Sequence, residues 1–155
     1  MNDLLIDYIY AGNHINMRVK KRITRIMDDS AAGKTYFYES LGAANARSKF
    51  VAPSFTLGGK ALKLKRISGS DIDDYDKNYI INVFKAQNSV IVVDEADHIF
   101  MKYKDLFDII LNNTSSYFIL MTRKYYAELP LNIYHNAKIV FNDNEITLKY
   151  YERTL

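Results

Sequence analysis

The chain has 155 residues, of which 48% are hydrophobic and 25% charged, a mix typical of one globular domain rather than of a disordered chain. A formal net charge of +3 is too small to require a nucleic-acid partner, and the absence of cysteine excludes disulfide scaffolds and thiolate metal sites. There is no apolar run long enough for a membrane span, and the acidic start of the chain differs from a signal peptide, so we expect a cytoplasmic protein.

Short elements are predicted before the first motif. Residues 1–14 carry enough apolar side chains for a short helix or an irregular N-terminal arm. Residues 15–22 alternate apolar and polar side chains, as a half-buried strand does. Residues 23–27 continue as a second strand, in which Arg25 is unusual because central strands are normally apolar.

A Gly-Lys-Thr motif follows that strand. Residues 28–35 match the phosphate-binding signature G-x-x-x-x-G-K-[ST], except that Asp28 replaces the first glycine. In such a loop, backbone N–H groups surround phosphates at the start of a helix, Lys34 reaches the phosphates and Thr35 offers its hydroxyl to Mg²⁺. The candidate nucleotide-binding residues are Ser30, Ala31, Ala32, Gly33, Lys34 and Thr35.

Helices and strands alternate through the rest of the chain, which favours an α/β fold with a largely parallel sheet. The run at 89–94 is β-branched without alternation, as in a strand buried on both faces. The predicted elements are helices at 36–50, 70–87 and 103–111, strands at 61–67, 89–94 and 117–122, and a C-terminal hairpin of strands 138–141 and 146–151.

Two carboxylates stand at the end of the apolar strand 89–94. A carboxylate in this position, here Asp94, can hold Mg²⁺ directly or through water. The adjacent Glu95 can orient and deprotonate an attacking water.

The two motifs together resemble the P-loop NTPases, in the branch that includes the AAA+ and RecA-like ATPases. The resemblance covers residues 22–142 of a single domain, 1–155, with 1–14 as an arm and 137–151 as a hairpin. It implies a three-layer α/β fold in which helices cover both faces of a mostly parallel five-stranded sheet of order 5-1-4-3-2. The implied strands are 22–27, 62–67, 89–94, 117–122 and 137–142.

The resemblance also assigns roles to individual residues. Lys34 and Glu95 would be catalytic, and Thr35 and Asp94 would be metal ligands. Thr122 matches the polar sensor position that contacts the γ-phosphate or the water, and Arg123 beside it is a further candidate. Residues 94–97 also spell the string of a helicase family, but those enzymes need two such domains. The three histidines show no metal-ligand spacing.

Two functions follow from these observations. The first is a small ATPase, or less favourably a GTPase, that uses Mg²⁺ and hydrolyses slowly unless a protein partner or self-assembly accelerates it. The second is a P-loop fold that has lost catalysis and binds a protein or nucleic acid, for example as an accessory or host-interference factor of a phage or other mobile element. A weak nucleic-acid surface could be formed by Arg18, Lys20, Lys21, Arg22, Lys63 and Lys65, although such residues on alternating strands are usually solvated.

Overall fold

The computed structural model describes residues 3–27, 31–46, 54–123 and 135–151. Within these ranges the chain forms ten strands, four α-helices and one 3₁₀ helix. The strands are β1 Leu4–Tyr10, β2 Asn13–Val19, β3 Ile23–Met27, β4 Ser54–Leu57, β5 Lys60–Ala61, β6 Lys63–Ser68, β7 Ser89–Asp94, β8 Tyr117–Thr122, β9 His135–Asn142 and β10 Glu145–Tyr150. The helices are α1 Ala31–Ala46, α2 Lys77–Phe84, α3 Ala96–Lys102 and α4 Leu106–Asn112, and the 3₁₀ helix is Gly69–Asp74.

The first two strands form an antiparallel hairpin. Its turn is made by Ala11 and Gly12, both with positive φ, as the right-handed twist of a two-residue hairpin requires. Leu4, Ile6 and Tyr8 are buried while the residues between them face outward. The prediction of a short helix or irregular arm at residues 1–14 is therefore wrong. The half-buried strand predicted next is confirmed as β2.

All ten strands belong to one sheet of order β5-β4-β1-β2-β10-β9-β3-β8-β7-β6. The five strands from β9 to β6 run parallel, whereas β1, β4 and β5 pair antiparallel. The C-terminal hairpin is present as β9 and β10, and β10 pairs with β2 in parallel at Ile146 and Ile15. The sheet is thus mixed and twice as large as the predicted one.

The two edge strands of this sheet are neighbours in sequence. Only Leu62 separates β5 from β6. A flat sheet of ten strands would be about 40 Å wide, because strands lie about 4.8 Å apart, whereas one residue spans only about 3.5 Å. The sheet therefore curls until its edges approach each other and is nearly closed.

Both faces of the parallel strands carry a hydrophobic core. On one face, α2, α3 and α4 pack over Ile91, Val93 and Leu120. On the other face, Phe37 and Leu41 of α1 pack against the parallel strands and also against the buried residues of β1 and β2. The curled antiparallel strands thus cover the far side of α1, which in a three-layer fold would face solvent.

The predicted fold class, a three-layer fold around a mostly parallel five-stranded sheet, is wrong for this reason. The five strands that were expected do lie side by side in the order 5-1-4-3-2, but they are half of a ten-stranded mixed sheet with few helices. Among the described helices, none combines the length and apolar character needed to cross a membrane.

Candidate functional site

A cleft lies where the carboxyl ends of β7 and β8 meet the start of α1. Its volume is about 150 Å³, well below the roughly 300–1,000 Å³ of sites that enclose a drug-sized ligand. This space suits a phosphate chain with its cation better than a whole nucleotide. The lining residues are Lys34, Thr35, Asp94, Glu95, Asp97, His98, Met121, Thr122 and Arg123.

Helix α1 contributes Lys34 and Thr35 from its first turns. The Lys34 Nζ donates a hydrogen bond to the carbonyl oxygen of Thr122 at 2.9 Å, so the ammonium lies against the end of β8. Gly33 is buried, and a Cβ there would lie 3.1 Å from the ring of Phe141. Of the other predicted loop residues, Ser30 lies outside the described residues, and Ala31 and Ala32 form the first positions of α1.

Strand β7 ends at Asp94, whose carboxylate lines the cleft. The Asp94 Oδ1 accepts the backbone N–H of Glu95 at 3.0 Å. Burial raises the pKa of the Asp94 carboxyl above its usual value, while the Glu95 N–H and the nearby Lys34 ammonium lower that pKa in part. A bound cation would therefore stabilise the ionised form of the Asp94 carboxyl.

Glu95 occupies an uncommon backbone conformation between β7 and α3. Its φ is 46° and its ψ 47°, in the left-handed region, which non-glycine residues adopt at a cost. Gly69 packs directly against this peptide, since a Cβ on Gly69 would lie 2.1 Å from the Glu95 carbonyl oxygen. The two residues fix the path by which the chain leaves β7.

Thr122 is 1% exposed, and its hydroxyl is already used. The Thr122 Oγ1 accepts the Arg25 Nε–H at 2.7 Å and donates to the Arg123 carbonyl oxygen at 3.2 Å. The Arg25 guanidinium also donates to the Arg123 carbonyl at 3.3 Å. The unusual Arg25 of the central strand therefore supports the end of β8 from within the fold.

The structure adds an ion pair that was not predicted. The Arg123 Nε donates to the Asp97 Oδ2 at 2.6 Å, and both side chains line the cleft. Asp97 is 1% exposed, and its Oδ1 has no hydrogen-bond partner among the described residues. The Asp94–Asp97 string includes the acidic residue of this pair, but only the packing of α3 beside β8 brings Asp97 to Arg123.

Among the described residues, the cleft contains two cations, Lys34 and Arg123, against three carboxylates, Asp94, Glu95 and Asp97. It would repel a phosphate chain unless a cation accompanied the phosphates. No group of three or more metal-binding side chains gathers within the described ranges. Nucleotide-bound Mg²⁺ commonly takes only one or two protein oxygens beside phosphates and water, which Thr35 and Asp94 fit as a hydroxyl and a carboxylate.

Two of the six basic residues considered for nucleic acid, Arg22 and Arg18, make contacts within the protein. Arg22 donates hydrogen bonds to the carbonyl oxygens of Ile110, Leu111 and Asn113 at the end of α4. Arg18 lies 3.6 Å from the carboxylate of Asp3. The remaining residues, Lys20, Lys21, Lys63 and Lys65, are exposed.

Comparison with models of known protein families gave no match, and comparison with curated proteins gave none either.

Proposed function

We propose that this chain binds the phosphates of a magnesium–nucleoside triphosphate, ATP in preference to GTP, in the cleft and hydrolyses the nucleotide slowly. The observation that carries the proposal is the convergence of Lys34, Thr35, Asp94 and Glu95 from two distant segments on one cleft. These are the residue types that the resemblance to P-loop NTPases assigns to phosphate, metal and water. The cytoplasm, which supplies nucleotide and Mg²⁺, is the compartment we infer.

Each side chain has a distinct part in the proposed reaction. Lys34 leaves the Thr122 carbonyl and neutralises the phosphates, while Thr35 and Asp94 would hold Mg²⁺, which stabilises negative charge as the terminal phosphate departs. Glu95 orients a water and accepts its proton as the water oxygen bonds to the terminal phosphorus. The bond from that phosphorus to the bridging oxygen breaks, giving a nucleoside diphosphate and inorganic phosphate.

Three observations favour a second candidate, a fold without catalysis that binds a protein or nucleic acid. The Lys34 ammonium already has a partner in the Thr122 carbonyl, and carboxylates outnumber cations in the cleft. Asp28, where the motif has glycine, adds a further acidic residue to the motif. A partner-binding factor of a phage or mobile element is the form of this candidate that we retain.

Titration calorimetry with Mg-ATP, Mg-GTP and ATP in excess EDTA distinguishes the two candidates. We expect micromolar binding that requires Mg²⁺. Lys34→Ala should weaken it at least about tenfold, because a charge-assisted contact to phosphate is worth about 1.5–3 kcal/mol. The control is Lys21→Ala, which removes an exposed lysine outside the cleft.

Turnover of the same proteins tests Glu95. Glu95→Gln keeps the shape of the side chain but removes the base, so Mg-ATP should still bind while phosphate release falls by about 10²-fold or more. Absence of binding to the wild-type chain at millimolar nucleotide would leave only the second candidate.

A further inference from the structure

Around the end of β8, the cleft contains contacts that the predicted motifs do not account for. Thr122 was expected to sense the terminal phosphate, yet its hydroxyl accepts from Arg25 and donates to the Arg123 carbonyl. Both hydrogen-bonding directions of the hydroxyl are thus in use inside the protein. Donation to a phosphate would require the bond to the Arg123 carbonyl to break.

Arg123 follows Thr122 in the chain, but its side chain is exposed whereas that of Thr122 is buried. Its side chain is 66% exposed and lines the cleft. Lys34 donates to the carbonyl oxygen of Thr122, which belongs to the peptide group that joins Thr122 to Arg123. The Lys34 ammonium therefore lies beside the backbone from which the Arg123 side chain extends. Both side chains line the same cleft, so a phosphate bound there has both cations beside it.

Asp97 fixes the orientation of the Arg123 guanidinium. It accepts the Arg123 Nε–H at 2.6 Å from a buried position on α3. The guanidinium is planar, so fixing Nε also sets the plane of the two remaining nitrogens. Among the described residues these meet only the Met101 sulfur, 3.7 Å from Nη2, which is a weak acceptor.

We propose that Arg123 binds the terminal phosphate of a nucleoside triphosphate and distinguishes it from a diphosphate, and that Asp97 is the positioning residue that orients Arg123. The inference rests on the proposed function. Its physical basis is that two guanidinium nitrogens can donate in parallel to one phosphate group, a geometry that a threonine hydroxyl does not offer. Arg123 would contact only the group that a diphosphate lacks.

The test compares Mg-ATP with Mg-ADP on the full chain by calorimetry. In Arg123→Gln the affinity for Mg-ATP should fall at least about tenfold, the loss expected for hydrogen bonds to a charged group. The affinity for Mg-ADP should change less than twofold. Asp97→Asn keeps an acceptor for Nε but removes the charge, and should lower the ratio of the two affinities by an intermediate factor.

Folding is controlled separately, because removing Arg123 leaves the buried Asp97 carboxylate without its counter-charge. The double variant Arg123→Gln with Asp97→Asn removes both charges and should lose the same discrimination as Arg123→Gln. Arg18→Gln, which removes an exposed arginine outside the cleft, should leave both affinities unchanged.

The outcomes separate this inference from the proposed function. If the wild-type chain binds neither nucleotide, both are overturned. If it binds both nucleotides and Arg123→Gln weakens them equally, or weakens neither, nucleotide binding stands and the role of Arg123 is wrong. A selective loss for Mg-ATP supports the inference, since a merely structural residue would not change the ratio.

Discussion

Gly69 controls the position of the proposed base without touching the cleft itself. A Cβ there would lie 2.1 Å from the Glu95 carbonyl oxygen and 3.0 Å from the His98 Cβ, so Gly69→Ala must displace the start of α3. We expect a loss of about 1–3 kcal/mol in the free energy of unfolding, as for other overpacked sites. Turnover should fall more than Mg-ATP affinity, because Glu95 lies in the displaced peptide, whereas Lys34 and Thr35 lie on α1.

A second glycine provides the matched control for that variant. A Cβ at Gly42 would approach the Arg66 guanidinium at 2.3 Å, but this is the end of a flexible and exposed side chain, which can move away. Alanine also favours a helix by about 1 kcal/mol over glycine. Gly42→Ala should therefore be neutral or stabilising in chemical denaturation. A similar loss in both variants would contradict the specific role of Gly69.

Asp94 is expected to reduce the stability of the nucleotide-free protein. Burial raises its pKa, so the fold favours the protonated carboxyl. The resulting penalty is absent below the unfolded value of 3.8, grows as the pH rises towards the folded pKa, and is complete above it. Asp94→Asn should raise the melting temperature by a few degrees at neutral pH, with no gain at low pH, and abolish Mg-ATP binding.

Thermal unfolding followed by circular dichroism across a pH series measures this effect. The control is Asp74→Asn, which changes an exposed carboxylate outside the cleft and should not alter the melting temperature in a similar way. A destabilised Asp94→Asn protein at neutral pH would show that the ionised carboxylate stabilises the empty cleft after all.

Among the elements, α4 depends on a residue that is far away in sequence, Arg22, which comes just before β3. The Arg22 guanidinium donates to the carbonyl oxygens of Ile110, Leu111 and Asn113 in the last turn and at the C-cap of α4, where helix carbonyls run short of N–H partners. The Ile110 carbonyl also accepts the Asn113 N–H at 3.3 Å. A cation at the carboxyl end of a helix also interacts favourably with the helix dipole. Arg22→Ala should lower the free energy of unfolding by about 1.5–3 kcal/mol, the worth of hydrogen bonds to a charged group.

Denaturant titrations of Arg22→Ala and of the exposed control Lys21→Ala check this prediction. Lys21→Ala should stay within about 0.5 kcal/mol of wild type, as surface substitutions usually do. Equal effects would mean that the contacts of Arg22 contribute no more than an exposed charge does.

Predictability from sequence differed between elements for a physical reason. The β-branched run of β7 predicted a strand buried on both faces, and all its residues up to Val93 are buried. Strand β1 was missed because Leu5 and Ile9 are apolar although they face outward, which hides its alternation. Helix α3 was missed because it has only seven residues, too few for its buried face to produce a clear helical period.

In the candidate site, too, local motifs identified some residues and missed contacts between distant elements. Lys34, Thr35, Asp94, Glu95 and Thr122 were identified by local motifs, and the structure places all five on the cleft. The ion pair of Asp97 with Arg123 joins two elements, α3 and the end of β8, whose contact no local pattern encodes. Nor could a motif reveal that Arg25 occupies the Thr122 hydroxyl.

At the scale of the whole molecule, α1 lies between two parts of the one curled sheet. The parallel strands cover one side of it, and the curled antiparallel strands cover the other, where the Tyr8 hydroxyl hydrogen-bonds to Ser40 and the Asn13 amide donates to the Tyr36 hydroxyl. The sequence did not predict this because β2 pairs with β10 from the opposite end of the chain. Non-local pairing leaves no periodic signal in either strand.

This arrangement predicts that the protein unfolds as one cooperative unit. The core around α1 and the core under α2–α4 share the same parallel strands, so loss of either core exposes the other. Met17→Ala tests the first core and Ile99→Ala the second, since both side chains are fully buried. Each should cost about 2–5 kcal/mol and lower the single melting temperature by roughly 2–4 °C per kcal/mol.

Far-ultraviolet dichroism reports the backbone and near-ultraviolet dichroism the tyrosines, and their midpoints should coincide in the wild-type chain and in both variants. The α1 core is the critical one, because Met17 belongs to the antiparallel strands that the five-stranded arrangement lacks. If Met17→Ala produced an early transition of its own while the later one stayed at the wild-type temperature, the antiparallel strands would be a separate unit. If the midpoints coincide instead, these strands stabilise the helix that carries Lys34 and Thr35 and are integral to the fold that holds the cleft.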